Sequence, residues 1–173
     1  MNSEDIKNRF GSYHVKVMQQ DQDHRVASLY SDHDNNAVCR TLAVTYFCRP
    51  TPPEVMSADQ LIRQGHSIGS TLSGTGLLLK RESLLEAMTP SGASFELLSA
   101  GTVSPGTPLV LRLYRLDAGI FEGSLSPYAT IAEAHHPKHI APKKVLPPLA
   151  SLSENPLEMI EEAALETLLA NLK

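Results

Sequence analysis

Pro108-Leu-Val-Leu-Arg-Leu-Tyr-Arg-Leu116 is the strongest strand signal in the chain and decides its class. Leu109, Leu111 and Leu113 recur at every second position, the period that sends alternate side chains to opposite faces of a sheet. Toward the C terminus, Tyr128-Ala-Thr-Ile-Ala-Glu133 reads as a closing strand, stopped by Pro137. Toward the N terminus, Ser94-Phe-Glu-Leu-Leu-Ser99 and Leu77-Leu-Leu-Lys-Arg-Glu82 read as two further strands. The first fifty residues also read as strands. Tyr13-His-Val-Lys-Val-Met18 alternates around Val15 and Val17, Arg25-Val-Ala-Ser-Leu-Tyr30 follows the polar turn Asp21-Gln-Asp23, and residues 38–48 follow the loop Ser31-Asp-His-Asp-Asn-Asn36. Short polar turns between them predict an antiparallel meander.

Helices are fewer. Arg49-Pro-Thr-Pro-Pro53 stops the first group of strands, since proline cannot donate to a ladder. Ser57-Ala-Asp-Gln60 has the form of a capping box, opening a helix with Leu61 and Ile62 that ends at Gly65. Ser67 can cap a second short helix, broken by Gly74 and Gly76. At the end, Asn155 can cap a helix with Pro156 at its first position and Glu158 three after the cap. Leu157, Ile160, Ala164, Leu165, Leu168 and Leu172 keep helical spacing there. The predicted class is α+β: an antiparallel sheet of about six strands with short mid-chain helices and a C-terminal helix. Residues 1–140 form the core domain. Residues 141–173 form a proline-rich linker and a helix packed on the same domain or on a dimer partner.

Composition narrows the function. The 173 residues are 42% hydrophobic and 20% charged, the balance of one globular domain. A formal net charge of -4 argues against non-specific nucleic-acid binding, which needs a positive field. Lys143-Lys144 is too short to be a basic patch. No stretch reaches the ~20 apolar residues of a membrane span, and Met1-Asn-Ser-Glu-Asp-Ile-Lys7 has no signal-peptide core, so the expected location is the cytoplasm. Cys39 and Cys48 match no metal or redox spacing and, on one strand, stand ~30 Å apart on opposite faces, which predicts two free thiols.

Candidate chemistry concentrates in Ile131-Ala-Glu-Ala-His-His-Pro-Lys-His139. An ionisable cluster at the end of a strand suits a site on a rigid scaffold. Glu133 shares a strand face with Ala129 and Ile131, and Arg40 shares one with Val38, Leu42, Val44 and Tyr46. Such charges point inward, paired with each other across strands or lining a cavity, unless an edge strand exposes both. His135 or His136 could assist Glu133 in proton transfer, or cap backbone groups at a strand end. Glu133, His135 and His139 could also meet a metal ion, with a further ligand from His66 or His14, although the spacing fits no standard metal signature. The glycines in Gly65-His-Ser-Ile-Gly69 could admit a carboxylate close to the backbone, or simply end one helix and start the next. The expected cofactor is none.

The order of these elements resembles the chorismate lyase family over residues 10 to about 140. Arg40 in Cys39-Arg-Thr-Leu-Ala-Val-Thr-Tyr-Phe47, Gly65 and Gly69 before a short helix, and Glu133 in Thr130-Ile-Ala-Glu-Ala-His-His-Pro137 carry the likeness. Thr41 stands where the family has an acidic residue, and His135-His136 where it has an apolar pair. The resemblance implies a small carboxylated ligand, aromatic or cyclohexadienyl, held between sheet and helices. It implies a carboxylate on Arg40, backbone contacts at Gly65, His66, Ser67 and Gly69, and proton transfer by Glu133 with His135 or His136. The family reaction eliminates pyruvate from chorismate to leave 4-hydroxybenzoate. A non-enzymatic ligand-sensing or interaction domain of the same fold is the alternative.

Overall fold

The computed structural model describes residues 2–142, 145–151 and 156–173. Helix α1 (Asn2–Phe10) precedes strands β1 (His14–Gln20), β2 (His24–His33) and β3 (Asn36–Phe47). Helices α2 (Met56–Arg63) and α3 (Ile68–Gly74) follow, then β4 (Leu78–Pro90), α4 (Ala93–Leu98), β5 (Pro108–Gly119), β6 (Ser126–His135) and α5 (Met159–Leu172). The strands form one sheet in the order β1-β2-β3-β6-β5-β4, every neighbour antiparallel. The α+β class expected from the sequence is the class observed.

Alternation on the central strands sorts the core into two layers. Leu42, Val44, Leu109, Leu111, Leu113, Ala132 and Ala134 face α4 and α5, where Phe95, Ala164, Leu168 and Leu172 complete the cluster. Phe47, Tyr114, Leu116, Ala129 and Ile131 face the other way, toward Ala58 and Ile62 of α2 and Leu72 of α3. Leu168 is fully buried in the first layer. Truncating it, Leu168→Ala, is expected to cost ~2–5 kcal/mol in urea unfolding, from the lost burial and the cavity left between α5 and the sheet. The last turn of α5 docks on Gly92, where an added Cβ would stand 2.5 Å from the Leu172 carbonyl oxygen.

The elements differ from the sequence reading in informative places. The segment around residues 94–99 is helix, not strand, over Ala93–Leu98: Phe95 is buried and Leu98 packs beside it at helical spacing, while Leu97 points to solvent. Helix α1 was not expected; Ile6 is its single buried residue, with Glu4 and Asp5 in its first turn and Lys7 and Arg9 in its last, matching the helix dipole. The loop expected at residues 31–36 shrinks to Asp34 and Asn35, both at positive φ (48° and 64°) in a two-residue hairpin that these residue types tolerate. Helix α2 begins at Met56, directly after a turn of 3-10 helix, so Ser57 lies inside it rather than capping it. Its end is as expected: Gly65 takes φ +103° just beyond it. Helix α5 begins at Met159, with the Glu158 N–H donating to the Glu161 carboxylate at 2.8 Å, and Pro156 precedes it by three residues. Asn155 and the pair Lys143-Lys144 lie outside the described residues. Cys39 and Cys48 are free thiols.

Strand β3 also hides a bulge. Leu29 pairs Thr41 while Tyr30 pairs Cys39, which leaves Arg40 as the extra residue. The bulge takes Arg40 out of the Leu42 and Val44 face. Its guanidinium lies 3.9 Å from the centroid of the Phe10 ring in α1, and its Nε donates to Ser31 Oγ at 2.8 Å.

Candidate functional site

A cavity of about 230 Å³ lies between the sheet, the N-terminal end of α1 and the start of α3. Strand periodicity builds its floor: Arg25, Ala27 and Leu29 on β2, Ala43 and Thr45 on β3, Ile131 and Glu133 on β6. Asn2 and Ser3 close one side, and Ser67, Ile68 and Gly69 another. The walls are largely aliphatic, with polar groups at two ends, the usual make-up of a small-molecule site.

One end belongs to Arg25, which is 3% exposed. Its Nη1 donates to the carbonyl oxygens of Ile62 at 3.0 Å and His66 at 2.8 Å. Its Nε has no hydrogen-bond partner, and no carboxylate pairs with it among the described residues. Burial lowers its pKa from the ordinary arginine value. Beside it, Tyr13 Oη donates to Ser67 Oγ at 3.0 Å.

The other end belongs to Glu133, 4% exposed. Its Oε1 accepts from Asn2 Nδ2 at 2.8 Å and from Tyr114 Oη at 3.0 Å. Its Oε2 lies 3.7 Å from Arg81 Nη2, whose guanidinium stacks 3.4 Å from the centroid of the Tyr114 ring. Burial pushes the carboxyl up, against the opposing pull of Arg81, Tyr114, Asn2 and Arg112. Tyr114 is raised well above the usual phenol value, by burial first and then by Glu133, so it stays a hydrogen-bond donor.

The expected histidines divide. His135 is fully buried beside Glu133, with Nδ1 3.0 Å from Thr41 Oγ1 and Nε2 3.5 Å from Glu133 Oε2. Burial drives its pKa well below 6.5, so it is neutral. His136 is committed to local structure: its Nδ1 accepts from the Lys138 N–H at 3.0 Å, which leaves Nε2 to meet Thr102 Oγ1 at 3.0 Å. Burial holds it down at about 4. None of His135, His136 and Arg40 lines the cavity; the bulge turns Arg40 away from it, and the two histidines lie beyond its Glu133 end. Ser67 and Gly69 do line it; Gly65 and His66 do not, and His66 contributes only its carbonyl, to Arg25. Among the described residues no three of His, Cys, Asp and Glu come together as a metal site.

Arg25, Tyr13, Asn2, Arg81 and Tyr114 were not singled out from the sequence. Arg25 carried a usable signal: in Arg25-Val-Ala-Ser-Leu-Tyr30 it shares the Ala27 and Leu29 face, the same inward-charge pattern that drew attention to Arg40.

The fold and the cavity define an α+β domain with a charged, mostly aliphatic chamber on one face of its sheet. The chain is similar to the ligand-binding domain assigned to a GntR-family transcriptional regulator of Bordetella bronchiseptica, at 11% identity and a TM-score of 0.43, over 73% of this chain and 85% of that one. No protein-family model matches the chain, and no curated protein does. No helix among the described residues is long and apolar enough to cross a membrane.

Proposed function

We propose that the cavity binds a small carboxylated metabolite with a ring-sized apolar body. One observation carries this: Arg25 is a buried cation in the cavity wall without a carboxylate partner among the described residues. A buried charge is normally paired, because leaving it alone costs several kcal/mol. A ligand carboxylate supplies the missing charge and takes the unused N–H groups of the guanidinium. The volume supports a ligand of one substituted ring, since an apolar cavity of ~150 Å³ already accepts benzene. In this reading Arg25 takes the role that the sequence suggested for Arg40, and Ser67 and Gly69 border the ligand.

Lyase-type chemistry is a second reading, favoured by the raised carboxyl of Glu133 in the same cavity. A group so placed can take the proton released when a cyclohexadienyl ring becomes aromatic. Thermal unfolding with chorismate, 4-hydroxybenzoate and benzoate tests the binding reading. At ~100 times the dissociation constant a ligand adds ~2.7 kcal/mol of stability. No shift with any of them sinks it. Pyruvate release from chorismate, lost in Glu133→Gln, would add the chemistry; binding without release would leave a sensing domain.

Ala43 gives an independent control. It lies on the cavity floor and is small. Ala43→Leu is expected to fill the chamber, change stability by ~1 kcal/mol or less, and abolish the ligand-induced shift in the same assay.

A further inference from the structure

Arg25 does not stand alone at its end of the cavity. Thr45 is its cross-strand partner on β3, so the two side chains leave the same face of the sheet with Cβ atoms ~5 Å apart. Thr45 lines the cavity and is buried, and its Oγ1 has no hydrogen-bond partner among the described residues. Ser67 approaches from the helical side. It holds the position before α3, where a serine hydroxyl ordinarily caps the helix, yet its side chain makes no capping bond. Its Oγ instead accepts the Tyr13 Oη proton at 3.0 Å. A hydroxyl has one hydrogen, and that of Ser67 has no acceptor among the described residues. Ser67 directly follows His66, whose carbonyl oxygen accepts from Arg25 Nη1 at 2.8 Å, so its backbone is held beside the guanidinium.

The guanidinium is turned to match. The Ile62 and His66 carbonyls both take Nη1, and Nε is sealed from solvent, which leaves Nη2 to face the cavity. One positive charge and two hydroxyl protons suit the two oxygens of a carboxylate. Ala27 and Ala43, next along the same face, are small and leave the floor open from this seat toward Glu133.

Resting on the reading that a ligand carboxylate meets Arg25, we propose that three donors hold it, Arg25 Nη2, Thr45 Oγ1 and Ser67 Oγ, and that Tyr13 is a positioning residue that turns the Ser67 proton onto it. Tyr13 acts only through Ser67: its own proton occupies a lone pair of Oγ and fixes the direction in which the Ser67 hydrogen points. Burial raises the Tyr13 phenol above its usual value, so it stays a donor.

Calorimetric titration with benzoate of the parent protein, Thr45→Val, Ser67→Ala, Tyr13→Phe and the double variant Tyr13→Phe/Ser67→Ala decides the matter. Thr45→Val and Ser67→Ala are each expected to weaken benzoate about tenfold. Thr45→Val should nevertheless melt at or above the parent, because its methyl replaces an unpaired buried hydroxyl. Tyr13→Phe should weaken benzoate about threefold in the parent and not at all on the Ser67→Ala background. An equal loss on both backgrounds overturns the Tyr13 assignment, since a ring that serves only packing costs the same with or without the Ser67 hydroxyl. Benzoate held by Thr45→Val and Ser67→Ala as tightly as by the parent, yet lost in Arg25→Met, overturns the three-donor seat while keeping the carboxylate on Arg25. Failure of the parent to bind overturns both.

Discussion

Between pH 6.5 and pH 4 the protein is expected to lose stability on the order of 5 kcal/mol. His136 and His139 are both buried and both held down at about 4, by desolvation first and then by neighbouring cations. His135 is lowered further in the same direction. A histidine depressed in the folded state contributes stability that is fully present above its ordinary value of 6.5 and is lost as pH falls through the folded value. His136 and His139 each contribute about 3 kcal/mol on this account. Glu133 acts the other way. Its raised carboxyl gains relative to the unfolded chain as it protonates, and so trims the loss. The groups around the histidines reinforce the direction, since Arg9, Arg40, Arg112 and Lys138 all disfavour a second positive charge there and only Asp5 opposes. Urea unfolding at pH 7.5, 6, 5 and 4.5 gives the slope. His136→Gln should flatten it by about one proton. A midpoint unchanged from pH 7.5 to 4.5 would show that these rings are not held neutral.

Arg25→Met should separate folding from binding more sharply than any other change. The variant is expected to fold with stability within ~1 kcal/mol of the parent, or above it, because replacing an unpaired buried charge with an apolar side chain of similar volume is often neutral or favourable. The lost hydrogen bonds to the Ile62 and His66 carbonyls set against that gain. Its ligand-induced stabilisation should fall from ~2.7 kcal/mol at ~100-fold saturation to near zero. Thermal melts with and without 4-hydroxybenzoate measure both quantities at once. An Arg25→Met protein that melts several degrees lower and still binds would mean that the guanidinium is a structural brace between β2 and the α2–α3 turn.

Much of the sheet could be read directly from the chain because long runs of β5 and β6 keep a two-residue period. Leu109, Leu111 and Leu113 on β5 and Ala132 and Ala134 on β6 face α5, while Ile131 and Glu133 face the cavity. Helix α4 escaped notice because only Phe95 and Leu98 show its period within six residues, too few to outweigh a strand-like composition. Helix α1 buries one residue and offered almost no apolar pattern. Glu133 was legible as an inward charge on an apolar strand face. Arg40 carried the same signal, but a period-two argument cannot see an inserted residue, and the bulge at Arg40 moves it under Phe10 instead. Arg25, with no such interruption on its own strand, reaches the cavity. The Asn2 contact to Glu133 spans almost the whole sheet domain in sequence and has no local signature.

The central claim is that Arg25 receives a ligand carboxylate. Among the described residues its Nε–H has no partner, and a carboxylate arriving on the same guanidinium should shift its signal, so the decisive measurement is the side-chain nitrogen resonance of Arg25 in labelled protein titrated with benzoate, assigned by its loss in Arg25→Met. The account predicts a saturable shift of the Arg25 Nε–H signal that tracks the thermal stabilisation, with the Arg40 and Arg63 signals unmoved. A carboxylate that stabilises the protein while leaving the Arg25 signal in place would contradict it.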